Sequence, residues 1–206
     1  MSITLINADA LCVNLKGDLI VTDPPFEMAG KELANILSGI KSNHLVLLST
    51  MRQIIDFAKH SDWDFSFDFV LDAVVPKKSK SIRQPNYTHT SGAYFTRNGA
   101  KSIFNRKLRQ RSDTFDNNGY WPTVIRAPRD KMQEFGMAKN EQALIDLIGS
   151  FEADSVVDCF AGSGAVGMAC FQIDKNCILV ERDAEHYQLL KRNFKFIGGK
   201  VEELHI

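Results

Sequence analysis

Hydrophobic positions along this chain switch repeatedly between strand-like and helix-like spacing, and the switches divide it into short elements. Ser2 to Ala8 and Asp18 to Thr22 read as strands, with a short helical or turn piece from Asp9 to Lys16 between them. Lys31 to Ile40 has helical spacing, and His44 to Ser49 is an apolar run suited to a strand buried on both faces. Met51 to Lys59 returns to helix with Ile54, Ile55 and Ala58 on one side, and Phe65 to Val75 alternates as a strand of a mixed sheet does. Toward the carboxyl end, Asn140 to Phe151 is a predicted helix with Ala143, Leu144, Leu147 and Ile148 as its apolar stripe. A strand (Ser155 to Cys159), a helix (Ala165 to Gln172), a strand (Cys177 to Glu181) and a helix (Ala184 to Phe196) follow. Strands alternating with helices predict an α/β fold, a doubly wound and mostly parallel sheet with right-handed crossovers.

The stretch 76–128 breaks this rhythm. It is rich in Ser, Asn, Gly, Arg and Tyr, and shows helical periodicity only around Gly99 to Leu108, so it reads as an insertion of loops and short strands. Its charge is equally distinct. The chain as a whole is neutral, with 25 basic and 25 acidic residues, yet Lys77, Lys78, Lys80, Arg83, Arg97, Lys101, Arg106, Lys107, Arg109 and Arg111 fall in one window without a single Asp or Glu. Sorted charge of this kind points to phosphate contacts, and so to a nucleic acid.

Composition adds limits rather than chemistry. At 206 residues, 44% hydrophobic and 24% charged, the chain is expected to form a single domain. No apolar run approaches the ~20 residues of a membrane span, and Met1 to Asn7 lacks the basic start and apolar middle of a signal peptide. The cysteines, Cys12, Cys159, Cys170 and Cys177, have no metal-ligand spacing. Reduced thiols, a cytoplasmic location and no metal are the expectation.

Two stretches carry candidate chemistry. Val156-Val157-Asp158 runs into Cys159-Phe160-Ala161-Gly162-Ser163-Gly164, a strand followed by a glycine loop that lets backbone approach a cofactor. Gly162, Gly164 and Gly167 literally satisfy the dinucleotide fingerprint, and Glu181 stands about 20 residues downstream where an acid grips ribose hydroxyls. A nicotinamide dinucleotide and another adenosine-bearing cofactor are both compatible with that pattern. The second stretch is Asp23-Pro24-Pro25-Phe26, at the end of an apolar strand. A carboxylate and a Pro24 carbonyl fixed by proline rings are preorganised acceptors for an amino group, and Phe26 offers a face on which a planar base stacks.

Together these stretches resemble the S-adenosylmethionine-dependent amino-methyltransferases of DNA. The glycine loop looks like that family's D-P-F-x-G-S-G, Glu181 with Asp183 and Tyr187 resembles its acid-then-tyrosine pattern, and Lys139 in Met137 to Leu144 is similar to its lysine segment. Asp9, after Ala8, stands where the family's Gly-Asp closes the first strand, and Phe26 replaces its usual tyrosine. The order of motifs is similar to the circularly permuted beta group. The resemblance implies a seven-stranded Rossmann-like sheet and S-adenosyl-L-methionine held by Asp9, Ala10, Asp23, Lys139, Asp158, Phe160, Ala161, Gly162, Ser163, Gly164, Glu181 and Arg182. It implies catalysis at Asp23, Pro24, Pro25 and Phe26 on an adenine flipped from double-stranded DNA. The basic 76–128 segment would be the target-recognition region. Cytosine-N4 or RNA methylation and a catalytically idle binding module remain alternatives, and dimers are common in the group. No membrane partner is implied.

Overall fold

The computed structural model describes residues 1–77, 82–83, 85–108, 121–127, 140–195 and 201–204, without the side chains of 74–77 and 87. Its strands are β1 (Ile3–Asn7), β2 (Leu19–Thr22), β3 (His44–Ser49), β4 (Asp64–Lys77), β5 (Tyr87–Thr96), β6 (Val124–Arg126), β7 (Ser155–Asp158), β8 (Asn176–Glu181) and β9 (Val201–Leu204). The helices are α1 (Gly30–Ser38), α2 (Met51–His60), α3 (Glu141–Gly149), α4 (Ala165–Gln172) and α5 (Ala184–Lys195). The strands form one sheet in the order β6-β4-β5-β3-β2-β7-β8-β1-β9, and every pairing is parallel except the two made by β5. This is the expected doubly wound α/β architecture, with nine described strands instead of seven.

Short apolar runs make these strands because both faces are covered. Along β2, Leu19 and Val21 enter the core beneath α3, α4 and α5, while Ile20 enters the core beneath α1 and α2. From β2 the chain winds through α1 to β3; from β7 it winds through α4 to β8, toward the other edge. The neighbouring pair β2 and β7 is therefore the switch point of the sheet, and a crevice opens beyond the carboxyl ends of such a pair.

The stretch 76–128 departs from the reading as an insertion. Its middle, β5, lies inside the sheet between β3 and β4, and Tyr94 and Phe95 are fully buried core aromatics. Instead of a helix over Gly99 to Leu108 there is one 3-10 turn at Arg106–Leu108. Because β5 runs against its neighbours, it starts at the carboxyl edge of the sheet and ends at the amino edge. Ser49, the last residue of β3, pairs with Ser91, and β4 and β5 continue past that point to the Lys77–Tyr87 pair. A two-stranded ribbon thus projects at the carboxyl edge, while Arg97 and the residues after it leave at the amino edge.

Candidate functional site

A cleft of about 850 Å³ lies over the carboxyl ends of β1, β2, β7 and β8. It is lined by Asp9 and Ala10, by Asp23, Pro24, Pro25 and Phe26, by Asp158, Phe160, Ala161, Gly162 and Ser163, and by Glu181 and Arg182. Sequence-distant motifs thus share one cavity.

The glycine-loop half is tied by carboxylates. Glu181 Oε2 accepts from Gly162 N at 2.8 Å, and its Oε1 accepts from Asp183 N at 2.8 Å. Gly162 adopts φ +50°, and a Cβ there would meet nothing within 4 Å, so the loop is open toward the cavity. Gly164 behaves differently. It caps α4 at φ +89°, is not part of the cleft lining, and a Cβ there would lie 2.5 Å from Leu190 Cδ1 and 2.7 Å from Phe194 Cε2. Its small size serves the packing of α4 on α5, and it does not line the cleft as expected. Asp9 accepts from Leu11 N at 3.0 Å and meets the Arg182 guanidinium at 3.5 Å across the mouth.

Asp158 joins the two halves. It is buried, and its Oδ1 accepts from Thr22 Oγ1 at 2.7 Å and from Phe160 N at 3.1 Å. Burial drives its pKa up to about 7; the two hydrogen bonds oppose that rise, and the neighbouring charges of Asp23 and Glu181 add to it. Cys159 stands where the resembled family has proline. Burial raises its thiol to about 12, so it lines the cleft as a neutral group.

The Asp23–Phe26 half is built by a turn. Met28 N donates to Pro25 O at 3.0 Å, and Gln53, from the first turn of α2, donates from Nε2 to Pro25 O at 2.9 Å and to Met28 O at 2.8 Å. Gln53 and Thr22 are the site residues that motif reading misses. Neither belongs to a motif that points to this cleft, and their partners lie 28 and 136 residues away.

The cavity is strongly acidic. Asp9, Asp23, Glu27, Glu32, Asp158, Glu181 and Asp183 line it against Arg182 and His186. Such a field suits a ligand carrying positive charge. Among the described residues no cluster has the makings of a metal site, and no helix is long and apolar enough to cross a membrane.

Among the described residues, the cations of the basic window do not form one patch. Lys77 ends β4 on the ribbon at the carboxyl edge, and Arg83 is exposed near its tip. Lys101, Arg106 and Lys107 are exposed at the amino edge, away from the cleft. Arg97 is buried: its Nε donates to Ser42 O at 2.7 Å, its other nitrogens reach Ser38 O and Ile40 O, and its guanidinium lies 4.4 Å from the Trp63 ring centre. It is a structural tie, not the phosphate contact its sequence context predicts. Lys78, Lys80, Arg109, Arg111 and Lys139 lie outside the described residues, as does the Lys77 side chain.

A family model described as DNA methylase matches residues 53–192. Among solved structures, the M1.HpyAVI–SAM complex is similar at 22% identity and TM-score 0.69, over 93% of this chain and 99% of that one. A putative DNA modification methylase from Thermus thermophilus, complexed with S-adenosyl-L-methionine, is similar at 16% identity and TM-score 0.69, over 98% of this chain and 97% of the other. PvuII DNA methyltransferase, cytosine-N4-specific, is similar at 13% identity and TM-score 0.63, over 90% of this chain and 87% of that one. No curated protein sequence matches.

Proposed function

The chain belongs to the DNA methylase family of amino-methyltransferases, and from that premise we propose that it transfers a methyl group from S-adenosyl-L-methionine to the exocyclic amino group of an adenine flipped out of double-stranded DNA. One observation carries the reading: Asp23-Pro24-Pro25-Phe26 and the Asp158–Ser163 loop, far apart in sequence, line the same acidic cleft.

The cleft's residues fit the cofactor. Glu181, oriented by two backbone N–H groups, presents its remaining lone pairs to ribose hydroxyls, and Asp9 and Arg182 flank the place for an adenine ring. When bound, the cofactor supplies an electrophilic methyl on a positively charged sulfur. The six acids of the cleft other than Asp158 favour that charge and oppose the pyrophosphate of a nicotinamide dinucleotide, for which the cleft lining offers, among the described residues, only Arg182 and His186 at the mouth.

At the other end, the amino nitrogen of a base is a poor nucleophile because its lone pair is delocalised into the ring. Asp23 and the Pro24 carbonyl accept its two hydrogens, turning the lone pair toward the methyl group, and Phe26 stacks the base. The nitrogen gains a methyl and sheds one proton, for which the Asp23 carboxylate is the acceptor at hand. Asp in place of Ser at the head of the tetrapeptide favours adenine over cytosine, a tendency within the family. The ribbon carrying Lys77 and Arg83 rises on the cleft's own edge, where it can straddle a duplex presenting the flipped base.

Phe26 in place of the family's usual tyrosine favours a second reading, methylation of adenine in RNA. Reaction with duplex DNA and with RNA, followed by nucleoside mass spectrometry, separates the two. Thermal stabilisation by S-adenosyl-L-methionine and not by NAD tests the cofactor.

A further inference from the structure

The acceptor motif does not hold itself in place. Thr50 caps α2 by accepting from Gln53 N at 3.3 Å, and Thr50-x-x-Gln53 has the spacing of a capping box, in which the glutamine amide turns back to the cap residue. Here the amide goes elsewhere. Gln53 is 4% exposed, its Nε2 spans Pro25 O and Met28 O, and its Oε1 accepts from Ser49 Oγ. Only the NH₂ end can serve two carbonyls, so the orientation of the amide is fixed by its partners. With Met28 N also donating to it, Pro25 O has both lone pairs engaged.

We infer that Gln53 is a positioning residue for methyl acceptance: its amide clamps the Pro25–Met28 turn, removes the Pro25 carbonyl as a rival acceptor, and holds Phe26 where the base stacks. The inference rests on the proposed reading of the cleft. Proline rings fix φ at positions 24 and 25 but leave ψ at Pro25 free, and the clamp supplies that missing restraint. The Pro24 carbonyl, one peptide earlier, and the Asp23 carboxylate are then the acceptors left to face the amino group.

The test uses the full chain with Gln53→Leu, Gln53→Glu and Phe26→Ala, assayed on duplex DNA with S-adenosyl-L-methionine. Gln53→Leu is expected to lower kcat by roughly 10–100-fold, the scale of a small misplacement at a reacting centre, with cofactor affinity within about twofold of wild type because the glycine-loop half is untouched. In the Phe26→Ala background the same change should add little, since both act through one turn. Gln53→Glu offers a carboxylate to two carbonyls, so its activity relative to wild type should rise as pH falls and the acid regains a donor. Hydrogen exchange at Met28 N needs no substrate: protection in wild type and its loss in Gln53→Leu support the clamp. Wild-type kcat in Gln53→Leu, equal losses in both backgrounds, or a still-protected Met28 amide would each overturn it. Should Gln53→Leu fail to fold, the pH-dependent ratio in Gln53→Glu and exchange at its Met28 amide decide instead. A wild-type protein that methylates no nucleic acid defeats the reading of the cleft, while the exchange result still decides the clamp.

Discussion

The two edges of this sheet handle charge in opposite ways. At the amino edge, Asp18 accepts from Asp154 N, Ser155 N and Ser155 Oγ, and these bonds outweigh burial to hold its pKa below the usual value. Arg97, a few strands away, is capped by carbonyls of 38, 40 and 42. At the carboxyl edge, Asp158 is more deeply buried and has fewer donors, so its pKa rises to about 7 while Asp23 and Glu181 press on it with like charge. At the first edge the fold surrounds each of these charges with donors or carbonyls of its own. At the second it gathers acids around one cavity, and a cofactor with a cationic sulfur suits that field.

Substitutions can break this comparison. Asp23→Ala should lower methyl transfer by roughly 10²–10³-fold, the scale of losing one preorganised polar partner of a transition state, a far larger loss than the one in cofactor affinity. Single-turnover assay and calorimetry measure the two; equal losses in both would erase the division of the cleft. Arg97→Ala should do the reverse, lowering stability by about 2–4 kcal/mol through unpaired buried carbonyls while leaving cofactor affinity alone, as urea midpoints would show. Glu181→Gln should weaken cofactor binding by about tenfold or more, because a hydrogen bond to a charged group is lost.

The pH dependence of Asp158 sharpens the contrast. Its folded pKa, about 7, lies above the usual 3.8, so the folded state keeps a proton that the unfolded chain has released. Stability therefore falls as pH rises from about 4 to 7, and levels off above. Asp158→Asn should remove that slope, and chemical denaturation across the window would expose a slope that persists. The smallest effects concern the cations. Arg83→Gln should reduce the salt dependence of DNA binding by about one unit of slope, whereas Lys101→Gln and Lys107→Gln, at the far edge, should leave it unchanged.

How much of this is legible in the sequence depends on the reach of the interactions. His44–Ser49 and Ala165–Gln172 fall where hydrophobic spacing predicts them, because local burial on both faces writes itself into sequence. The glycine loop after β7 and Glu181 at the end of β8 are legible as strand ends for the same reason, each with its own local bonds. β5 is not. Its polar start, Tyr87-Thr88-His89-Thr90, belongs to the projecting ribbon, and only Ala93, Tyr94 and Phe95 reach the core. β6 and β9 are short and mostly exposed, so neither shows the apolar run that marks the equally short β2 and β7. Arg97 looks like one cation among ten because its carbonyl partners sit more than fifty residues upstream. Gln53 escapes notice in a similar way, its carbonyl partners lying 28 and 25 residues upstream. The window of positive charge is real in sequence, and its described cations are divided in space, since β5 runs between them from the carboxyl edge to the amino edge.

The most direct test of the central claim is nucleoside mass spectrometry of duplex DNA treated with S-adenosyl-L-methionine and either the wild-type protein or Asp23→Ala. N6-methyladenine is expected with the wild type and almost none with the variant. Equal methylation by both, or none on any adenine with the wild type, would contradict it.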